Sequence, residues 1–312
     1  MNSRRSTEIC WPESVTWLCC AMAVLIMAAV PGCSIVQTAG TEAAREDGEI
    51  AYGDNSEAGR FLYVNGIQVY VETYGSGPPM LLIHGNQDSI HAMRYQIQYF
   101  AEEYKVVAID SRGHGKSEMG SGRLTYEQMA EDTNAVLERL GLRSVYVLGW
   151  SDGGIIGIML GIRHPEKVAK LAVMGANLRP EGAYQWAIDS CDNWIEHLDA
   201  MIAQGDQTRP WKKERQYFGL LREQPDISVE SLGTLQAPTL VMAGDEDIVR
   251  PEHTLEMYRA PPNAHLCIFP GATHGIPVED PALFNQITGA FFRNPFKRPT
   301  TKEEMLSRAR EQ

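Results

Sequence analysis

From Phe61 onward the chain alternates short, continuous apolar runs with helix-length amphipathic segments, and that alternation restricts its architecture more than any single motif does. The runs are "MLLIHG", "KVVAID", "VYVLGW", "KLAVMGA", "TLVMAG" and "HLCIFPG". Runs this short and this apolar suit strands covered on both faces. Strand followed by helix followed by strand makes a mostly parallel sheet flanked by helices. Ahead of the runs, "FLYVNG" and "IQVYVETYG" alternate apolar with polar residues around Asn65-Gly66, a hairpin turn pair, so two antiparallel strands open the sheet. The expected fold is α/β, a mostly parallel eight-stranded sheet with helices on both faces, and 312 residues accommodate it as one large domain. Among the helices, "TYEQMAEDTNAVLERLG" opens on Thr125 with Gln128 three positions on, a capping-box pattern, and closes at Gly141.

The alternation breaks once. Residues 181–230 carry no strand signal but hold Tyr184, Trp186, Trp194, Trp211, Tyr217 and Phe218. An insertion there predicts a small helical cap over the carboxyl edge of the sheet, where open α/β folds bind ligands. It divides the core into residues 61–180 and 231–295, with residues 296–312 as a charged tail.

The first sixty residues read differently. "VTWLCCAMAVLIMAAV", Val15 to Val30, is a run of sixteen residues without a charge, shorter than a spanning helix needs. Residues 1–32 therefore read as an export signal. The run ends in "VPGCS", which resembles the lipobox of bacterial lipoproteins; that resemblance makes Cys33 the lipidated first residue and places the protein on a membrane of the cell envelope, the alternative being an ordinary secretory signal and a periplasmic or secreted soluble protein. Residues 33–60, small, polar and acidic beyond the cysteine, read as a flexible tether. Removing Cys10, Cys19 and Cys20 with the signal and acylating Cys33 leaves Cys191 and Cys267, too few for a disulfide framework. A formal net charge of -12 argues against nucleic acid, whose phosphates demand clustered Lys and Arg.

The chemistry concentrates where "VYVLGW" ends. Gly149, Ser151 and Gly153 form G-x-S-x-G between a predicted strand and a predicted helix, the context that gives this short pattern meaning. A sharp turn there strains the serine backbone and presents Ser151 Oγ at the sheet edge, beside the free N–H groups of the next helix. A serine nucleophile needs a base and an orienting acid. Of the histidines after the penultimate strand, only His274 leaves the carboxyl end of the last one; His265 opens that strand and His253 begins a helix, so both read as exposed or capping. Asp245, Glu246 and Asp247 follow "TLVMAG", and Asp247, beside the next helix, is preferred over Asp245 because its carboxylate has room to reach His274.

"LLIHGN", "DSRGHGKS", "GWSDGG", "AGDED" and "GATHG" together resemble the α/β-hydrolase superfamily across Phe61 to Phe292, and the order Ser, Asp, His matches it. Within it, "GWSDGG" followed by "VMGAN" is similar to valacyclovir-hydrolase and biphenyl-hydrolase-like esterases. The resemblance implies an oxyanion hole made by the backbone N–H groups of Asn86 and Asp152. It also leaves Asp152 two roles: its carboxylate caps the helix it begins, or it meets the amino group of an aminoacyl ester, with Trp150 as a further substrate contact. His84 and His114 belong to glycine turns that shape the site.

The expected activity is hydrolysis of an ester or amide through an acyl-enzyme, with a small-molecule substrate. Carbon–carbon bond hydrolysis and cofactor-free perhydrolysis use the same triad, and a non-catalytic lipoprotein that binds through this fold is the remaining alternative. "DSRGHGKS" lacks phosphate-loop spacing, no Cys/His cluster has zinc spacing and no G-x-G-x-x-G opens a helix after the first strand, so no metal or other cofactor is expected.

Overall fold

The computed structural model describes residues 50–298 and 300–310. The predicted signal, Cys33 and the tether up to residue 49 lie outside them. Among the described residues the strands are β1 (Gly59–Val64), β2 (Ile67–Tyr74), β3 (Pro79–Ile83), β4 (Lys105–Ile109), β5 (Val145–Trp150), β6 (Val168–Met174), β7 (Thr239–Glu246) and β8 (Ala264–Thr273). The helices are α1 (Arg94–Phe100), α2 (Tyr126–Arg139), α3 (Asp152–Arg163), α4 (Gln185–Ala203), α5 (Trp211–Glu223), α6 (Val229–Leu232), α7 (Pro251–Arg259), α8 (Ile276–Glu279), α9 (Pro281–Arg293) and α10 (Thr301–Arg310).

One eight-stranded sheet runs in the order β1-β2-β4-β3-β5-β6-β7-β8. β1 and β2 form the expected hairpin, with Asn65 and Gly66 both at positive φ, and β2 pairs antiparallel with β4. All later pairings are parallel. Alternate strand residues feed two cores. Leu81, Ile83, Val147 and Val173 face one with α2 and α3, whereas Met80, Leu82, Leu148 and Met174 face the other with α1 and α9. The chain thus has the α/β-hydrolase fold, a sheet wound on both faces.

The order matters for the site. From β3 the chain goes to β4 on one side, then returns to β5 on the other, so the strand order reverses between β3 and β5. Loops leaving two adjacent strands at such a reversal part from each other and open a crevice at their carboxyl ends. Asn86 follows one of these strands and Ser151 the other, and Ile83 pairs with Gly149 just below them.

Two expectations need correction. "HLCIFPG" is not covered on both faces: β8 is the edge strand, and Leu266 and Ile268 are exposed on it. Nor is the tether free as far as residue 60. The buried carboxylate of Glu72 accepts N–H bonds from Gly53 (2.8 Å) and Asn55 (2.9 Å) and hydroxyl bonds from Tyr70 (2.9 Å) and Tyr74 (2.8 Å), so residues 53–58 are bound to the sheet before β1 begins.

Candidate active site

β5 passes into α3 through Ser151, whose φ of 56° and ψ of -119° lie where an L-residue is strained, at a cost of about 1–3 kcal/mol. The bend is held from below by the Ser151 N–H donating to the Met174 carbonyl at 2.7 Å. Its side chain caps no helical N–H, so the hydroxyl is not spent on the turn. The flanking glycines serve close backbone approach. A Cβ on Gly149 would strike the Gly153 carbonyl and sit 2.5 Å from the Gly154 nitrogen, and one on Gly153 would strike the ends of β3 at Ile83 and His84. Gly85 abuts the serine too: a Cβ there would stand 3.3 Å from Ser151 Cβ.

Asp247 leaves the end of β7 with its side chain fully buried, and its Oδ1 stands 2.7 Å from His274 Nδ1, just past β8. The same oxygen accepts the Val249 N–H at 3.1 Å. A carboxylate beside Nδ1 fixes the proton there and leaves Nε2 as an acceptor. Burial alone would push the His274 imidazole down, but Asp247, with Asp152 and Glu279 further off, holds its pKa above the ordinary 6.5. Burial likewise opposes the Asp247 charge, and the facing imidazole outweighs it, so that carboxyl stays below its usual range. Asp245 is exposed at the end of β7 and accepts the Ala272 N–H instead, so the local bulge turns it away from the histidine.

The ring of His274 is placed by two neighbours. Trp150, expected to touch substrate, donates its indole N–H to the His274 carbonyl at 2.9 Å and packs its ring 6.3 Å from the imidazole. Gly175 follows Met174, the residue that receives the Ser151 N–H. A Cβ on Gly175 would lie 2.6 Å from both Cε1 and Nδ1 of His274 and 3.2 Å from Asp247 Oδ2. Ser151, Asp247 and His274 therefore stand just past the carboxyl ends of β5, β7 and β8 in one sheet, with Asp247 and His274 in hydrogen-bond contact.

Across the crevice, Asn86 and Gln87 follow the His84-Gly85 turn, Gln87 at a φ of 58°. His84 is buried and accepts the Ser111 N–H on Nε2 at 3.1 Å, which puts its proton on Nδ1, 2.7 Å from the Gly85 carbonyl. Holding that carbonyl directs the Asn86 N–H of the same planar trans peptide to the opposite side. His114 is buried as well, with Nδ1 2.9 Å from the Arg112 carbonyl and its ring 4.4 Å from that of Tyr217 on α5. Burial drives its pKa down to about 3, so it is a neutral part of the wall. Asp110 closes the "DSRGHGKS" turn by accepting the Ile90 and Lys116 N–H groups, both at 2.8 Å.

Asp152 is 2% exposed, and its carboxylate accepts from side chains of two other segments. Oδ1 accepts the Tyr126 hydroxyl at 2.7 Å and Oδ2 accepts the Asn86 amide at 2.8 Å. Burial pushes its carboxyl up to about 6 despite both donors. Tyr126 carries no motif, and its part in the site was not readable from the chain alone. His253, expected exposed or capping, is buried: its Nε2 accepts the Leu178 N–H at 2.9 Å and its Nδ1 faces Glu256 at 3.0 Å, tying α7 to the loop after β6. No group of three or more His, Cys, Asp or Glu among the described residues could hold a metal ion.

The family model described as alpha/beta hydrolase fold matches residues 78–207, a span that includes Asn86 and Ser151 and stops before Asp247 and His274. With the sheet order above, the match gives the chain the α/β-hydrolase fold and makes it an enzyme, a hydrolase by class. It is similar to a non-heme haloperoxidase of Rhodococcus erythropolis, 28% identical over 68% of this chain and 91% of that one. It is also similar to the human serine hydrolase BPHL, 24% identical over 74% of this chain and 84% of the relative. A shorter match to a Bacillus subtilis hydrolase, 35% identical over 109 residues, spans 40% of that protein. Among solved structures, a thermophilic esterase from Thermogutta terrifontis superposes with a TM-score of 0.62 at 25% identity, over 75% of this chain and 98% of that one.

Proposed function

We propose that the protein is a serine esterase that works through an acyl-enzyme. Ser151 Oγ attacks the carbonyl of a small ester; His274 Nε2 takes its proton and returns it to the leaving alcohol; Asp247 orients the ring and stabilises its cation. The N–H groups of Asn86 and Asp152 receive the tetrahedral oxygen. Water then attacks the acyl-enzyme with His274 again as base. The observation that carries this reading is the Asp247–His274 pair at 2.7 Å on the rim where Ser151 stands strained with its hydroxyl uncommitted. The esterase and serine-hydrolase relatives support it; the haloperoxidase relative makes peracid formation the competing activity to assay. Ser151→Ala is expected to abolish hydrolysis of short nitrophenyl esters and labelling by a fluorophosphonate, with melting temperature little changed. A variant that keeps the wild-type rate would defeat the assignment.

The proposed location is a cell-envelope membrane, through acyl chains on Cys33. The "VPGCS" sequence after an apolar run supports it. The expected result is that labelled palmitate enters the wild-type protein in a bacterial host and that Cys33→Ser abolishes the incorporation; equal labelling of both would refute the anchor.

A further inference from the structure

Asp152 commits both of its carboxylate oxygens to side chains from other segments. It is the first residue of α3, so its backbone N–H is one of the two oxyanion donors in the reading above, on which this inference rests. Its side chain turns away from the helix axis. Oδ2 takes the Asn86 side-chain amide at 2.8 Å, and Asn86 carries the other donor on its own backbone. Oδ1 takes the hydroxyl of Tyr126 at 2.7 Å, from the first turn of α2, with Tyr126 0% exposed. The Asn86 amide also lies 3.3 Å from the Tyr217 carbonyl on α5.

A buried carboxylate held by two neutral donors, and in no ion pair among the described residues, is an expensive way to fasten two segments. Packing against apolar neighbours would serve stability as well. What the carboxylate supplies that an apolar side chain cannot is direction, because each oxygen fixes one partner at hydrogen-bond distance. The Gly85–Asn86 peptide is already gripped on its carbonyl side by His84 at 2.7 Å. A second grip through the Asn86 side chain fixes the residue's position as well as the plane of its peptide.

We propose that the Asp152–Asn86 side-chain bond, anchored by Tyr126, is a clasp that sets the spacing of the two oxyanion N–H groups. Asp152 and Tyr126 are positioning residues in this account; neither side chain touches the substrate. Because a displacement of about 1 Å can cost on the order of 10²-fold in rate, opening the clasp lowers kcat about 10- to 100-fold and leaves KM nearly unchanged.

The test uses Asn86→Ala and Asp152→Ala, which keep both backbone N–H groups, with Tyr126→Phe as the mild variant in case either fails to fold. Each is assayed on a nitrophenyl ester and titrated with phenylboronic acid, whose serine adduct carries an oxyanion. The expected result is that kcat and boronate affinity fall together, that Asn86→Ala combined with Asp152→Ala is no worse than either alone, and that the exchange Asn86→Asp with Asp152→Asn restores most of the rate. Folded variants with kcat within about twofold of wild type, or effects that multiply in the double variant, would overturn the clasp. Fluorophosphonate labelling of the wild type separates the two levels: labelling with unaffected variants refutes the clasp alone, whereas no labelling refutes it together with the nucleophile.

Discussion

Gly175 shows how much of this site depends on an atom that is missing. It turns the chain after β6 at a φ of 62°, and the space a Cβ would need is filled by the His274 ring and the Asp247 carboxylate. Gly175→Ala should cost about 1–2 kcal/mol of stability for the left-handed backbone, and a larger share of activity, because ring and side chain cannot both fit. Displaced from Asp247, His274 also loses the charge that holds its pKa above 6.5. In the proposed mechanism the imidazole must be neutral to accept the serine proton, so kcat/KM falls as pH drops through that raised value. In Gly175→Ala the remaining activity should be lower and its acid limb shifted down toward 6.5. A pH–rate profile checks both, and an unchanged limb would show that the ring had not moved. No motif marks Gly175 or Tyr126, since each acts through an approach across strands that local spacing does not encode. The placement of Ser151, Asp247 and His274 was legible for the opposite reason, because each follows the carboxyl end of a recognisable strand.

At the scale of elements, strands were legible and their surroundings less so. Continuous apolar runs identified six parallel strands, yet β8 shows Leu266 and Ile268 to solvent, because a short apolar run looks the same at an edge as in the middle of a sheet. α2 begins as read, with Thr125 Oγ1 accepting the Gln128 N–H at 3.1 Å. In the insertion, the aromatics fall into two sets. Trp211 and Phe218 are buried with Cys191 and Leu198, and Trp194 packs against them, so these rings bind α4 to α5. Tyr217 turns the other way, its hydroxyl donating to the Gly113 carbonyl at 2.5 Å, and so lays α5 across the loops that follow β3 and β4. Trp186 stays 53% exposed. Lys170 was equally silent in the chain: its ammonium donates to the carbonyls of Phe291 (3.0 Å), Phe292 (2.9 Å) and Asn294 (2.6 Å), a cation at the carboxyl end of α9.

For the whole molecule the informative boundary is the one where the hydrolase domain begins. Composition set it at residue 61, because residues 50–60 are as small and polar as those before them. The structure moves it earlier, since a carboxylate in β2 gathers bonds from this segment. Glu72 is fully buried, and two of its four donors come from Gly53 and Asn55. The Ala58 carbonyl also receives the Thr73 N–H at 3.1 Å, and Tyr52 packs its ring edge-on, 5.2 Å from Tyr74. A chain starting at residue 60 would lose all of these and leave Glu72 with its two tyrosine hydroxyls. Hydrogen bonds to a charged group contribute about 1.5–3 kcal/mol each, and water entering the vacated surface recovers part of that, leaving a loss of about 2 kcal/mol. In a domain of this size that lowers the melting temperature by about 4–8 °C. A chain starting at residue 60 should melt below one starting at residue 50 by that amount, and Glu72→Gln should narrow the gap, because it removes the charge those N–H groups serve. Equal melting of the two would mean that the tyrosines and water satisfy Glu72 alone, and would return the boundary to residue 61.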